Sequence, residues 1–245
     1  MEKTVNRLLV FFLLGAIVFG ALMYKFRNAE HDSLMEEAYV FDFCEYIEVD
    51  VSSMPVVLIP YDEPNISVAF TNDKPLDFEI GDNSLTITES SDFVVSLFTG
   101  SESDFALYVY LPRESYREIS VYTGSGNVTV GRVDAQSITV GTESGNILFE
   151  DCISRLNLST ITGKIDVDFE FIADGTEIVS RTGDVGLSVL PDSKFSVDFD
   201  TKTGTCECEL SANAPGGSFD YTFNGGGKRV GAYVEQGILS IREKR

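Results

Sequence analysis

The sequence predicts an all-β protein: a β-solenoid-like stack of short two-strand rungs with glycine corners, an irregular β cap on its N-terminal side, and one N-terminal transmembrane helix. Three observations carry this prediction. First, Gly126, Gly145, Gly163, Gly183, Gly204 and Gly237 each follow a small or polar residue and precede an apolar–x–apolar pair; the first five are 19, 18, 20 and 21 residues apart. A period near 20 marks a chain that stacks on itself one rung at a time. Second, the composition is that of strands and turns, with abundant Val, Ile, Thr, Phe and Tyr, 21 glycines and no tryptophan. Third, an uncharged apolar run, LLVFFLLGAIVFGALMY, occupies Leu8–Tyr24.

Residues 1–7, MEKTVNR, read as a short cytoplasmic tail. Residues 8–24 read as the membrane helix, because seventeen residues at about 1.5 Å each give roughly 26 Å, just enough for a hydrocarbon core of about 30 Å with snorkelling ends. A cleaved signal peptide wants a small-x-small site after the apolar run, whereas this run ends Ala21-Leu22-Met23-Tyr24 and meets Lys25 directly. Residues 25–40 read as a spacer off the membrane, polar and acidic from residue 28 on. The whole chain carries a formal charge of −21; removing residues 1–27 takes away four basic residues and one acidic residue, leaving 14 against 38, or −24. Such a balance excludes phosphate-backbone binding, which needs a basic patch, so no nucleic-acid partner is expected. A large acidic β-domain behind an anchor reads as extracytoplasmic.

Residues 41–104 alternate with period two in Tyr46–Val51 and Leu76–Ile80, with a hairpin-type turn at Gly81-Asp82-Asn83-Ser84. Their irregular spacing predicts a cap that shields the end of the stack from edge pairing. Residues 105–245 carry the repeat. Counting from each glycine, position −5 holds Val121, Val140, Leu158, Ile178, Phe199 and Ala232, and position −3 holds Thr123, Thr142, Thr160, Ser180, Thr201 and Val234. Position +2 holds Val128, Ile147, Ile165, Val185, Cys206 and Leu239, and position +4 holds Val130, Phe149, Val167, Leu187, Cys208 and Ile241. Inward positions are odd before the glycine and even after it, which one unbroken strand cannot do. The chain must turn a corner there, and glycine suits the corner because it accepts positive φ and lets successive backbones approach closely.

The leading Leu107-Tyr108-Val109-Tyr110-Leu111-Pro112, the repeated phrase of the type Thr123-Gly124-Ser125-Gly126-Asn127-Val128, and the closing Gly237-Ile238-Leu239-Ser240-Ile241 resemble the bacterial putative-adhesin family. The resemblance covers residues 105–245 well and 41–104 loosely. It implies a toast-rack-like domain of β-strand repeats, often behind a membrane anchor, with some members linked to the cell envelope and its stress responses. It transfers no catalytic residue.

Four groups of residues bear on chemistry. Cys206 and Cys208 fall on inward positions and Cys152 aligns with Val133, so small buried hydrophobes account for them; a disulfide to Cys44 stays open but has no support from spacing. Asp166, Asp168 and Glu170 alternate with Val167 and Phe169 and form an outward carboxylate strip, with Glu207 and Glu209 in equivalent positions two rungs on, and Asp198 and Asp200 before the corner. Stacked carboxylates are candidates for Ca²⁺, yet no Asp-x-Asp-x-Asn-Gly loop is present and a solvated face is the simpler account. Asn224-Gly225-Gly226-Gly227-Lys228-Arg229 lacks the Gly-Lys-Ser/Thr of a phosphate loop and reads as a flexible insertion before the last rung. The sole histidine, His31, lies in the spacer, and no Gly-x-Ser-x-Gly is present.

The function expected is therefore a non-catalytic, membrane-anchored, extracytoplasmic β-repeat module for cell-envelope or surface interaction. No cofactor is expected; its partners are the membrane, through the N-terminal helix, and an envelope glycan or protein. Two other readings stay open: an envelope-stress regulatory component acting through a membrane partner, and a glycan-acting enzyme using paired carboxylates.

Overall fold

Every regular element among the described residues is a β-strand. The computed structural model describes residues 38–70, 76–90, 106–210 and 217–244, all within a unit that begins at Ala38. The transmembrane helix expected over 8–24, the tail 1–7 and spacer residues 25–37 lie outside the described residues. Among the described residues, no helix is long and apolar enough to cross a membrane.

The strands, in chain order, are β1 (Tyr39–Phe41), β2 (Tyr46–Val51), β3 (Val56–Tyr61), β4 (Ile66–Phe70), β5 (Leu76–Ile80), β6 (Ser84–Glu89), β7 (Leu107–Pro112), β8 (Tyr116–Thr123), β9 (Val128–Val130) and β10 (Ala135–Thr142). There follow β11 (Ile147–Cys152), β12 (Arg155–Thr160), β13 (Ile165–Phe169), β14 (Thr176–Ser180), β15 (Val185–Val189), β16 (Phe195–Asp200), β17 (Thr205–Cys208), β18 (Phe219–Phe223), β19 (Lys228–Val234) and β20 (Ile238–Glu243). They form two ten-stranded sheets. The first runs β1-β4-β7-β3-β9-β11-β13-β15-β20-β17 and the second β18-β16-β19-β14-β12-β10-β8-β2-β6-β5.

Each rung gives one strand to each sheet: the strand before the corner joins the second sheet and the strand after it joins the first. Neighbouring rungs pair in parallel and in matched register, as Ile138 with Leu156 and Ile147 with Ile165. Inward residues of both sheets make one core, in which Val121, Val140, Leu158, Ile178, Val128, Ile147, Ile165 and Val185 are buried. Each such side chain contributes about 1.5–3 kcal/mol by leaving water. The switch of parity across the corner is observed, since positions −5, −3, +2 and +4 point inward in every rung from Gly126 to Gly183.

Three expectations need correction. Residues 41–104 are not wholly an irregular cap, because β2 and β3 form a regular rung. Ile47 and Val49 pair with Ile119 and Val121, and Val56 and Leu58 pair with Val128 and Val130. The corner of that rung, Ser52–Pro55, carries Met54 where the others carry glycine, so the glycine phrase could not mark it. The rung beyond is β6 with β7, and β5, β4 and β1 extend the sheets past it through antiparallel pairs.

The second correction concerns order. The rung of Gly237 does not follow that of Gly204; β19 lies between β14 and β16, and β20 between β15 and β17. The N-terminal end repeats this arrangement, with the first rung in the chain, β2/β3, held between β6/β7 and β8/β9. At each end, the chain-terminal rung is thus one place in from the outermost rung. The segment before the last rung is also not a flexible insertion: β18 pairs antiparallel with β16, and Asn224 to Gly227 make a tight turn. Four successive positive φ angles, from 50° to 139°, explain its glycine run.

The corner glycines exist for close approach. A Cβ on Gly145, Gly163 or Gly183 would lie 1.9, 1.8 and 1.7 Å from the carbonyl oxygen of the preceding corner glycine, and one on Gly126 would lie 2.1 Å from that of Met54. Positive φ, invoked from sequence, applies among the six only to Gly237, at 143°. The position −3 hydroxyl explains the difference. Thr123, Thr142, Thr160, Ser180 and Thr201 each accept the glycine N–H through Oγ at 2.7–3.0 Å. In the Gly237 rung this residue is Val234, and Asp184 Oδ1 instead takes the N–H of Ile238 at 2.9 Å.

Candidate functional site

β13 projects Asp166 and Asp168 outward from the first sheet, and Glu170 follows its last residue. All three meet cations. Asp166 Oδ2 is 2.7 Å from Lys164 Nζ and its Oδ1 is 3.6 Å from Arg242 Nη2. Asp168 lies 3.0 Å from Lys244 Nζ, which also meets Asp151 at 2.6 Å, and Glu170 lies 2.6 Å from Arg132. Gly186, the β15 neighbour of Asp166, makes the reach across possible: a Cβ there would sit 2.3 Å from Asp166 Oδ1. The Arg242 Nε donates to Ser188 Oγ at 2.9 Å.

The strip is therefore an ionic seam in which each carboxylate has a cationic neighbour, although Asp166 Oδ1 and Asp168 Oδ1 are buried and accept no well-aligned hydrogen bond. Lys244 is only 19% exposed in its side chain. Burial works against its charge, but its hydrogen bond to Asp151 and the adjacent Asp168 carboxylate outweigh it and raise its pKa. Nearby, burial lifts the Glu150 carboxyl above its ordinary value, reinforced by the negative charges of Asp151 and Asp168.

The other acidic candidates do not join the strip. Glu207 lies opposite Ser240, so β15 and β20 separate it from Asp166. Asp198 and Asp200 are on the other sheet, where Arg229 Nη2 meets Asp198 at 2.5 Å and Ser218 Oγ donates to Asp200 at 2.7 Å. Among the described residues, no group of three or more His, Cys, Asp or Glu is placed to hold a metal ion. Sequence reasoning missed Arg242, Lys244, Lys164 and Arg132 as partners. The basic C-terminal run Arg242-Glu243-Lys244 was visible, but its reach to β13 across β15 followed only from the displaced order of the last rung.

All four cysteines are free thiols. Cys44 and Cys152 are buried, and burial pushes the Cys152 thiol up to about 12. Cys206 and Cys208 face the core as expected, yet are only half-buried because β17 is the edge strand of its sheet. Burial, with Cys208 and Glu207 beside it, pushes the Cys206 thiol up to about 11.

Recesses interrupt the surface of the described residues. One of about 480 Å³ lies between the β1–β2 connection and the β5–β6 turn, lined by Val40, Phe41, Phe43, Cys44, Ile80 and Leu85 among others. A smaller one, about 190 Å³, lies among Pro60, Leu111, Pro112, Arg113, Arg132 and Ile153. The outer face of the second sheet differs from both. Across β8, β10 and β12 it presents Ser120–Thr139–Asn157 in one row and Tyr122–Gly141–Ser159 in the next. Tyr122 lies over Gly141: a Cβ on that glycine would be 3.0 and 3.3 Å from two ring carbons. Gly141 is buried in consequence, while Tyr122 stays 43% exposed.

No curated protein matches the chain. Among solved structures it is similar to a "putative cell adhesion protein" from Clostridium sporogenes ATCC 15579, at 12% identity and TM-score 0.46, over 85% of this chain and 98% of that one. It is also similar to a "putative adhesin" from Bacteroides fragilis NCTC 9343, at 10% identity and TM-score 0.35, over 85% and 98%. A third, a "putative lipid binding protein" from Parabacteroides distasonis ATCC 8503, has 12% identity and TM-score 0.36, over 85% and 96%. Residues 44–152, which span the first rungs of this stack, match the family model described as Toastrack DUF4097.

Proposed function

We propose that this chain is a non-catalytic interaction module, held at the membrane by the apolar run Leu8–Tyr24 and presenting its β-stack outside the cytoplasm to envelope components. The observation that carries the reading is the use made of the reactive groups. The carboxylates with the best claim to chemistry, Asp166, Asp168 and Glu170, are tied up in ion pairs, whereas the rungs generate two broad sheet faces. A stack of nearest-neighbour repeats is suited to extended contact surfaces. The anchor is supported by the seventeen-residue uncharged run flanked by Lys3, Arg7, Lys25 and Arg27.

The test has two parts. Protease protection of the full chain in sealed membrane vesicles should leave the β-domain sensitive only from the extracytoplasmic side; sensitivity from the cytoplasmic side refutes the topology. Full-length protein in detergent should then retain cell-wall glycan or envelope protein on a column. Turnover of any member of a glycan panel would overthrow the non-catalytic reading, and retention of a membrane protein alone would favour regulation through that partner.

A further inference from the structure

We infer that the outer face of β8, β10 and β12 is a binding platform for a neutral glycan, with the Tyr122 ring as its stacking surface. The inference rests on the interaction-module reading above and assigns that module a ligand class and a place.

The ring is the first observation. Tyr122 leans over Gly141 on the neighbouring strand, with two ring carbons 3.0 and 3.3 Å from where a Gly141 Cβ would stand, and it remains exposed to solvent. A residue with a side chain at position 141 would fill that space; glycine there lets the ring lie down. A flat aromatic face open on one side suits the apolar C–H face of a sugar ring, and the tyrosine hydroxyl remains available at its edge.

The second observation is the hydroxyl and amide character of the positions beside it on these three strands; charge begins at Asp50, opposite the ring on β2, and at Glu118 and Arg155, one row away. In a chain of net charge −21, the positions flanking the ring on β8, β10 and β12 are Ser120, Thr139, Asn157 and Ser159, all on the solvent face. These are hydroxyl and amide groups able both to donate and to accept, spaced by the strand separation of about 4.8 Å. Ser159 Oγ stands 3.4 Å from the point a Gly141 Cβ would occupy, beside the ring. Sugar hydroxyls also donate and accept, so the two surfaces match.

Charge at the margin selects the occupant. Glu48 and Asp50 on β2, Glu118 on β8 and Glu177 on β14 bound the patch, four carboxylates against one cation, Arg155 on β12. An anionic polymer would be repelled by this rim, whereas a neutral one would not. The patch is in the middle of a sheet, so a peptide cannot add to it as an extra strand, and its exposed apolar side chains, Tyr122 and Val179, stand apart on either side of Gly141 and Ser159 and do not make the contiguous apolar centre that protein interfaces use. A neutral glycan fits what remains.

The experiment is calorimetric titration of the full-length protein in detergent with chitohexaose, cellohexaose and maltohexaose, with polygalacturonate as the anionic probe. At least one neutral hexaose should bind and polygalacturonate should not. Tyr122→Ala should weaken binding about tenfold or more, equivalent to about 1.4 kcal/mol, and Tyr122→Phe should stay within about threefold of the native chain. Asn157→Asp should weaken binding without moving the melting temperature, which controls for folding. The inference is overturned if no neutral hexaose binds, if polygalacturonate binds as well, or if Tyr122→Ala binds like the native protein. Envelope retention by the native chain that survives Tyr122→Ala would sink the platform and leave the module reading standing; no retention by the native chain would sink both.

Discussion

Replacing Gly163 by alanine tests the whole account of the corner. The new Cβ would lie 1.8 Å from the Gly145 carbonyl oxygen, and real contacts of this kind do not fall below 3.0 Å. The two rungs would have to part locally by roughly 1.2 Å, the difference between those values. Neither atom can rotate away, because both are held by the ladder. The bonds that would stretch are Ile147 N–H to Lys164 O at 2.8 Å and Thr162 N–H to Glu143 O at 3.0 Å. Each is worth about 1 kcal/mol net, and overpacking adds about 1–3 kcal/mol, so a loss of about 3–5 kcal/mol is expected. For a domain of this size that corresponds to a fall in Tm of roughly 6–20 °C. Gly204→Ala is the comparison. Its Cβ would meet the Gly237 oxygen at 2.6 Å, and its rung is outermost, with β17 at the sheet edge and free to shift. Urea unfolding followed by far-ultraviolet circular dichroism gives both values. A cost below about 1 kcal/mol for Gly163→Ala, or one no larger than that of Gly204→Ala, would refute the close-approach argument.

Three further outcomes follow from the same contacts. Thr160→Val removes the acceptor of the Gly163 N–H and should destabilise by about 1–3 kcal/mol, whereas Thr160→Ser, which keeps the hydroxyl, should cost less in the same urea titration. Glu150 has a folded pKa above its unfolded value, so its penalty is absent at low pH, develops as pH rises through the unfolded and then the folded pKa, and persists at neutrality; Glu150→Gln should therefore raise Tm at pH 7 and lose that advantage in acid. Lys244 has the opposite sign: its raised folded pKa gives a contribution complete below the ordinary lysine value and lost as pH climbs through the folded one. Lys244→Met should cost about 1–2 kcal/mol at pH 7, a partly buried ion pair being worth more than an exposed one, with the difference shrinking in alkaline melts.

Much of this molecule was legible locally. Side-chain period and the glycine interval are properties of a single rung, and a rung repeats. That is why the all-β class, the parity switch at each corner and the inward placement of Cys206 and Cys208 could be read from residues alone. The reason for the glycines was half legible: close approach holds from Gly126 to Gly183, while positive φ is confined to Gly237, where Val234 offers no hydroxyl. The β2/β3 rung escaped notice because Met54 stands in the glycine column. Asp166, Asp168 and Glu170 were correctly seen as outward, but their ion partners were not visible from spacing.

The amino-acid sequence by itself determined what each rung looks like: which residues point in, where the chain turns, and how many residues one turn of the stack takes. Only the tertiary structure decided the order of the rungs. Parallel pairing between matched rungs is nearly degenerate, because every rung offers the same apolar columns and the same ladder. Which rung sits beside which depends on the long connections and on the end strands β18, β5 and β4, and these are contacts between residues distant in sequence. That order brings Arg242 and Lys244 within reach of the β13 carboxylates across β15. The Tyr122 platform depends on pairing as well, since the glycine beneath the ring belongs to the next rung.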